Sequence, residues 1–372
     1  MSSSRTHGLT CHGGRDRDWH HAVLDACPSL RDGYRPTRWA RNAHVQNLLT
    51  MVHERRTPLP SWDLDERLEM SDGGTVSVQW LGLDAPSSAP VVVVLHTLCG
   101  SADGLRRFVL SLQRSLRALG LDGGMDRRLD GGWTIAACNR RGHAGLPLTA
   151  PVVNTMGSTA DLRSQLAAIE ARRPGALLYA VGVSAGSGLL VRYLGEQGSQ
   201  SRLRAAVALC PAYDIRDAFD FVHPRYDAYL TRRVVEFFLA RNRSVLGGIA
   251  GYEACAASRS MSEFHACLYP LAGYTSAEAY FSGSNPMEVA LDVATPTLVI
   301  NAADDPVCVE RNVHHHLGDL QTLPRMTLAL TRHGGHCGFY EGPLAGQSWS
   351  DRAVVDYLTA AHRLLGESGR SV

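Results

Sequence analysis

One serine, an aspartate pair and one late histidine follow each other along this chain in surroundings suited to acyl transfer. Ser184 is the centre of Gly182-Val183-Ser184-Ala185-Gly186, with an apolar run before it and another after it. A hydroxyl attacks a carbonyl only if a base takes its proton, and the base needs a carboxylate to fix its orientation. Glycines two residues either side of the serine let the chain turn sharply, so that the hydroxyl stands clear at a strand end with a helix N-terminus behind the reacting carbonyl. The carboxylate is expected just after a later strand, where "TLVINAADDPVCVE" places Asp304 and Asp305. Asp305 is preferred because Pro306 begins the turn away from it, which leaves Asp304 as a capping or hydrogen-bonding neighbour. The base is expected last, and "ALTRHGGHCGFYEG" offers His333 and His336. His336, between Gly334-Gly335 and Cys337-Gly338, lies on the more pliant loop. Two N–H donors are needed for the oxyanion. Ala185 would supply one; Leu98 in "LHTLCGSADG", with Thr97 next, would supply the other.

The elements that must position these groups can be read from the pattern. Continuous apolar runs such as "VVVVLH", "WTIAACN", "LLYAVGV", "AAVALC", "TLVINA" and "RMTLALT" alternate with stretches whose apolar residues recur every three or four positions. This predicts an α/β protein with a mostly parallel sheet covered by helices on both faces. "ERLEMSDGGTVSVQWLG" reads as a hairpin turning at Asp72-Gly73-Gly74. Residues 1–33 read as a disordered polar tail, and 34–60 as a short helix and loop. Residues 61–211 form the first part of the core, 212–293 a helical cap inserted between two strands, and 294–372 the second part of the core.

These motifs carry a resemblance. "RPTRWARNAHVQNLL", "LHTLCGSADG", "CNRRGHAGLPL", "STADLRSQLAAI", "GVSAGSGLLVRYLGEQG", "INAADDPVC" and "GGHCGF" are similar to those of the α/β-hydrolase family that includes bacterial YheT-type hydrolases and mammalian ABHD-type phospholipases and acylglycerol lipases. The likeness runs from Tyr34 to the last helix. It implies an α/β-hydrolase fold, with an eight-stranded, mostly parallel sheet and an inserted cap. It also implies a triad of nucleophile Ser184, acid Asp305 and base His336. The family usually has His-Gly where this chain has His96-Thr97, often a glycine at Ser187, and Glu-Phe-Asp where Glu263-Phe264-His265 stands.

The expected function is that of a serine esterase or lipase, cleaving carboxylic or lipid esters with an apolar acyl chain and needing no cofactor or metal. The alternatives are an acyltransferase, which hands the same acyl-enzyme to an alcohol or amine, and a catalytically dead fold used as a binding module. Composition narrows the rest. A net charge of +1 over 372 residues gives no field for nucleic acid. Nine cysteines without CxxC or zinc-type spacing predict reduced thiols rather than a disulfide framework. The start of the sequence has no apolar signal region, and no run approaches the roughly 18 apolar residues of a membrane span. The protein is therefore expected to be cytoplasmic, with peripheral lipid contact and oligomeric state left open. The run His314-His315-His316 is expected to be a surface helix, since successive helical residues diverge by about 100°. His20 and Asp25, in an HxxxxD pattern, are read as coincidence.

Overall fold

The computed structural model of the chain describes residues 3–121 and 132–368. Among them ten strands form the main sheet: β1 (Ser3–Thr6), β2 (Leu9–Gly13), β3 (Leu64–Glu69), β4 (Thr75–Leu81), β5 (Val91–Leu95), β6 (Thr134–Asn139), β7 (Leu178–Val183), β8 (Leu203–Leu209), β9 (Thr297–Ala302) and β10 (Met326–Thr331). Their order is β1-β2-β10-β9-β8-β7-β5-β6-β4-β3. The strands from β5 to β10 pair in parallel. Each edge is an antiparallel hairpin, β3–β4 against β6 and β1–β2 against β10. The predicted fold class holds.

The central strands are apolar on both faces because both faces are covered. Along β5, Val92 and Val94 enter one apolar cluster while Val91, Val93 and Leu95 enter the other. The first cluster packs under helices Arg106–Leu121 and Trp349–Ser368; the second packs under Thr159–Arg172, Ala185–Gln197 and Glu310–Thr322. Side-chain caps mark helix starts: the Ser158 hydroxyl accepts the Asp161 N–H at 3.2 Å, and Asn42 Oδ1 accepts the His44 N–H at 2.9 Å.

The expected tail is corrected. The described part of residues 1–33 is folded: β2 pairs with β10, and helix Arg17–Ala26 packs on the C-terminal helix. Leu9 and Cys11 are buried at alternate positions of β2; Trp19, Val23, Cys27 and Leu30 are buried at helical spacing. The polar residues between them hid two short amphipathic patterns. The N-terminal hairpin thus carries the sheet to ten strands, where eight, β3–β10, were expected.

The stretch between β8 and β9 is helical, with helices Ile215–Phe221, Pro224–Val234, Met261–Cys267 and Ala277–Ser284 and a π-helical turn at Val235–Leu239. It has its own apolar core, in which Phe238, Tyr252, Phe264 and Tyr280 are buried. Among the described residues, no helix is long and apolar enough to cross a membrane.

Candidate active site

Four parallel strands deliver their C-terminal ends to one place, the crevice where open α/β sheets bind ligands. Ser184 follows β7 with φ 54° and ψ −119°, a conformation costly for a residue with a side chain. The flanking glycines make that turn possible. A Cβ on Gly182 would stand 2.5 Å from the Gly186 carbonyl oxygen, and one on Gly186 would stand 2.3 Å from the Leu95 carbonyl oxygen. Helix Ala185–Gln197 starts immediately afterwards, so the Ala185 N–H is among the first four that lack an intrahelical acceptor. The Ser187 hydroxyl donates back to the Ser184 carbonyl and closes the turn.

Ser184 Oγ lies 2.8 Å from His336 Nε2, and His336 Nδ1 lies 2.8 Å from Asp305 Oδ2. With Nδ1–H donated to the carboxylate, Nε2 is left to accept the serine proton. The other oxygen of Asp305 accepts the Val307 and Cys308 N–H groups at 2.7 and 3.0 Å, in the turn that Pro306 opens. The Asp305 side chain has no solvent exposure, and that of His336 keeps 17%. The structure thus brings Ser184, His336 and Asp305 together. Asp304 goes elsewhere: it accepts the Gly335 N–H at 2.9 Å and lies 3.4 Å from His333 Nδ1. Burial raises the carboxyl pKa of Asp304. It clasps the loop that carries the histidine.

The loop after β5 holds Leu98, and a residue absent from the expected set arranges it. Arg140 is buried and has no carboxylate partner among the described residues. Its Nη2 donates to the Thr97 and Leu98 carbonyls at 2.6 and 3.0 Å, and its Nη1 donates to Thr155 at 2.5 Å. Burial lowers the Arg140 pKa to about 10. Among the described residues no peptide bond is cis. The Leu98 N–H therefore points opposite to the Thr97 carbonyl, away from the guanidinium. His96 Nε2 accepts the Arg140 N–H at 3.2 Å, so Nδ1 carries the ring proton and donates to the Thr97 carbonyl at 2.9 Å. Burial and Arg140 hold this imidazole far below its usual pKa. Thr97 itself is accommodated by Gly100, whose missing Cβ would lie 2.4 Å from the threonine hydroxyl.

The N-terminal element expected from "NAHVQN" supports the histidine loop. Asn47 Oδ1 accepts the His336 N–H at 2.7 Å, and Gln46 Oε1 accepts the Tyr340 N–H at 2.8 Å. Both residues lie on helix Ala43–Arg56. Asn47 Nδ2 donates to the Tyr226 hydroxyl at 2.9 Å, which ties the same point to the helical insertion. The histidine run does not converge: His314 meets Glu310 at 3.2 Å and His316 meets Asp319 at 3.4 Å, both on their own helix.

Residues 90–248 match the alpha/beta hydrolase fold family. The human protein ABHD15 is 30% identical over 90% of this chain and 71% of that protein. The chain belongs to this α/β-hydrolase family. The putative esterase YheT of Escherichia coli (strain K12) is 29% identical over 87% of this hydrolase-family chain and 92% of that protein. Phospholipase ABHD3 of Mus musculus is 25% identical over 91% and 81%. Among solved structures, an esterase of Pyrococcus furiosus shares the fold, with a TM-score of 0.53 at 16% identity over 81% of this chain and 92% of that one. Such relatives support a hydrolase as the class.

Proposed function

We propose that this α/β-hydrolase is a serine hydrolase that cleaves carboxylic esters with an apolar acyl chain through an acyl-enzyme. The observation that carries this reading is the pair of 2.8 Å contacts joining Ser184 Oγ to His336 and His336 to Asp305. Ser184 attacks the ester carbonyl as His336 Nε2 takes its proton. Asp305 holds the tautomer and stabilises the imidazolium that forms. The N–H groups of Ala185 and Leu98 receive the oxyanion; losing one such donor costs on the order of 10²–10³ in rate. His336 then protonates the leaving alcohol, activates water, and hydrolysis of the acyl-enzyme restores the serine.

The acyl chain would lie against the rim of the helical insertion, which serves as the cap. Most of the insertion's large apolar residues fill its own core; Leu98, Leu230 and Phe237 are partly buried at the edge of that cluster. A cavity of about 400 Å³ between the core and the insertion is lined by Arg140, Asn154, Met156, Leu189, Tyr274 and Ser284, but by no triad residue.

The test is intact mass after treatment with a fluorophosphonate, on the wild type and on Ser184→Ala. One adduct in the wild type and none in the variant is the expected result. A folded wild-type protein that takes up no adduct would overturn the reading.

A further inference from the structure

Three thiols that the triad does not use surround His336. Cys210 follows β8, Cys308 lies three residues after Asp305, and Cys337 follows His336 directly. A ring nitrogen of His336 and the Sγ atoms of Cys210 and Cys337 all lie within 4.8 Å of one another. An oxygen of Asp305, the Sγ of Cys308 and a ring nitrogen of His336 form a second trio inside the same limit. All three cysteines are unbridged, and the Cys308 thiol donates to the Cys210 carbonyl at 3.2 Å, tying two of the strand ends together. Cys210 and Cys337 have φ of 51° and 63°, the left-handed region that is costly for a residue with a Cβ. Two strained residues thus turn their thiols toward one imidazole, and strain of this kind gathers at functional positions.

We propose that Cys210, Cys337 and His336 bind a thiophilic divalent cation of the zinc class, and that its occupancy switches Ser184 off. Bonds of about 2.3 Å to sulfur and 2.1 Å to nitrogen in a tetrahedral shell set the ligand atoms roughly 3.5–3.8 Å apart. From separations inside 4.8 Å, the cluster needs no more than about 1 Å of closure to reach that spacing. Two thiols lose their protons to solvent as two metal–sulfur bonds form, so the ion's two charges are balanced by two thiolates. Asp305, Cys308 or a water can complete the shell. Soft sulfur ligands favour zinc over magnesium or calcium, which take oxygen. His336 has no spare nitrogen: Nδ1 is committed to Asp305 and Nε2 to Ser184. Either one that takes the ion gives up a triad contact, so metal and reactive serine exclude each other. Binding stands on the cluster alone; the switch rests on the serine-hydrolase reading. No sequence spacing announces the site, because its ligands come from two separate strand ends.

The experiment uses the full chain, reduced and stripped of metal. Equilibrium dialysis should find one Zn²⁺ per chain, and Co²⁺ in its place should show a thiolate-to-metal charge-transfer band. Zinc should slow fluorophosphonate labelling of Ser184 at least tenfold, with recovery on chelation and no effect of Mg²⁺. Cys337→Ala and, as a second variant, Cys210→Ser should each bind zinc at least tenfold more weakly, and zinc should no longer change their labelling. No bound metal, a cobalt complex without the thiolate band, or unchanged affinity in both variants would overturn the proposal. So would labelling that zinc leaves untouched, or a loss that only a thiol reductant reverses, which would mark a disulfide instead. If the metal-free protein never labels, the hydrolase reading fails, and the zinc stoichiometry and cobalt band still decide the site.

Discussion

Asn47 accepts the backbone N–H of His336 at 2.7 Å, so a helix near the start of the chain fixes the loop that carries the base near its end. Gly335 is part of the same fit, since a Cβ there would stand 2.5 Å from Asn47 Oδ1. Replacing Asn47 leaves the His336 N–H without its acceptor, a cost of about 1–3 kcal/mol when such a group is buried. Asn47→Ala is therefore expected to lower kcat roughly tenfold, with KM within about twofold of the wild type. Steady-state kinetics on a chromogenic ester would check it, and an unchanged kcat would show that the loop keeps its shape unaided.

The adjacent aspartates make opposite contacts and should separate cleanly. Asp305→Asn removes the partner that holds the His336 tautomer, and a fall in kcat on the order of 10⁴ is expected. Asp304→Asn keeps an oxygen for the Gly335 N–H and should cost about tenfold or less. The ratio of the two kcat values decides the assignment, and similar losses would reject it.

Much of this arrangement is legible in the sequence. The strands announced themselves as continuous apolar runs, because both faces of a parallel sheet are buried, and each predicted triad residue follows one of them. Leu9 and Cys11 on β2 escaped notice because so short a strand shows only two apolar positions among polar ones. Arg140 was visible in "CNRRGHAG" without its role, since a guanidinium held by carbonyls and not by a carboxylate leaves no opposite charge in the sequence to pair it with. Phe238, Tyr252, Phe264 and Tyr280 of the insertion are core residues, because a helical unit of that size must bury a centre of its own.

Ser184 holds its strained backbone at the expense of stability. Glycine accepts φ 54° and ψ −119° freely, whereas alanine keeps the Cβ that makes the conformation costly. Both Ser184→Gly and Ser184→Ala lose the hydroxyl, so the difference between them isolates the strain. Ser184→Gly is expected to be inactive yet more stable than Ser184→Ala by about 1 kcal/mol. Chemical denaturation of the two variants would measure this. Equal midpoints would show that the elbow holds no strain.

Acid should destabilise the fold through histidines buried neutral beside the loop after β5 and in the insertion. Burial, then Arg140, lowers the His143 pKa to about 3, and burial lowers that of His265 to about 4, against 6.5 for the free side chain. His265 Nδ1 donates to the Met261 carbonyl, and Nε2 accepts from the Thr155 hydroxyl at 2.9 Å, a pattern only the neutral ring can make. Between the folded values and 6.5 the unfolded chain binds more protons than the folded one, so stability is intact above about pH 7 and falls as pH drops through that window. At pH 5 each histidine is expected to account for about 2 kcal/mol of the loss. His265→Gln keeps hydrogen-bonding groups but cannot titrate, so its loss between pH 8 and pH 5 should be smaller by about that amount. Urea unfolding of the wild type and the variant at both pH values would test this. Equal losses in the two proteins would show that His265 is protonated in the folded state.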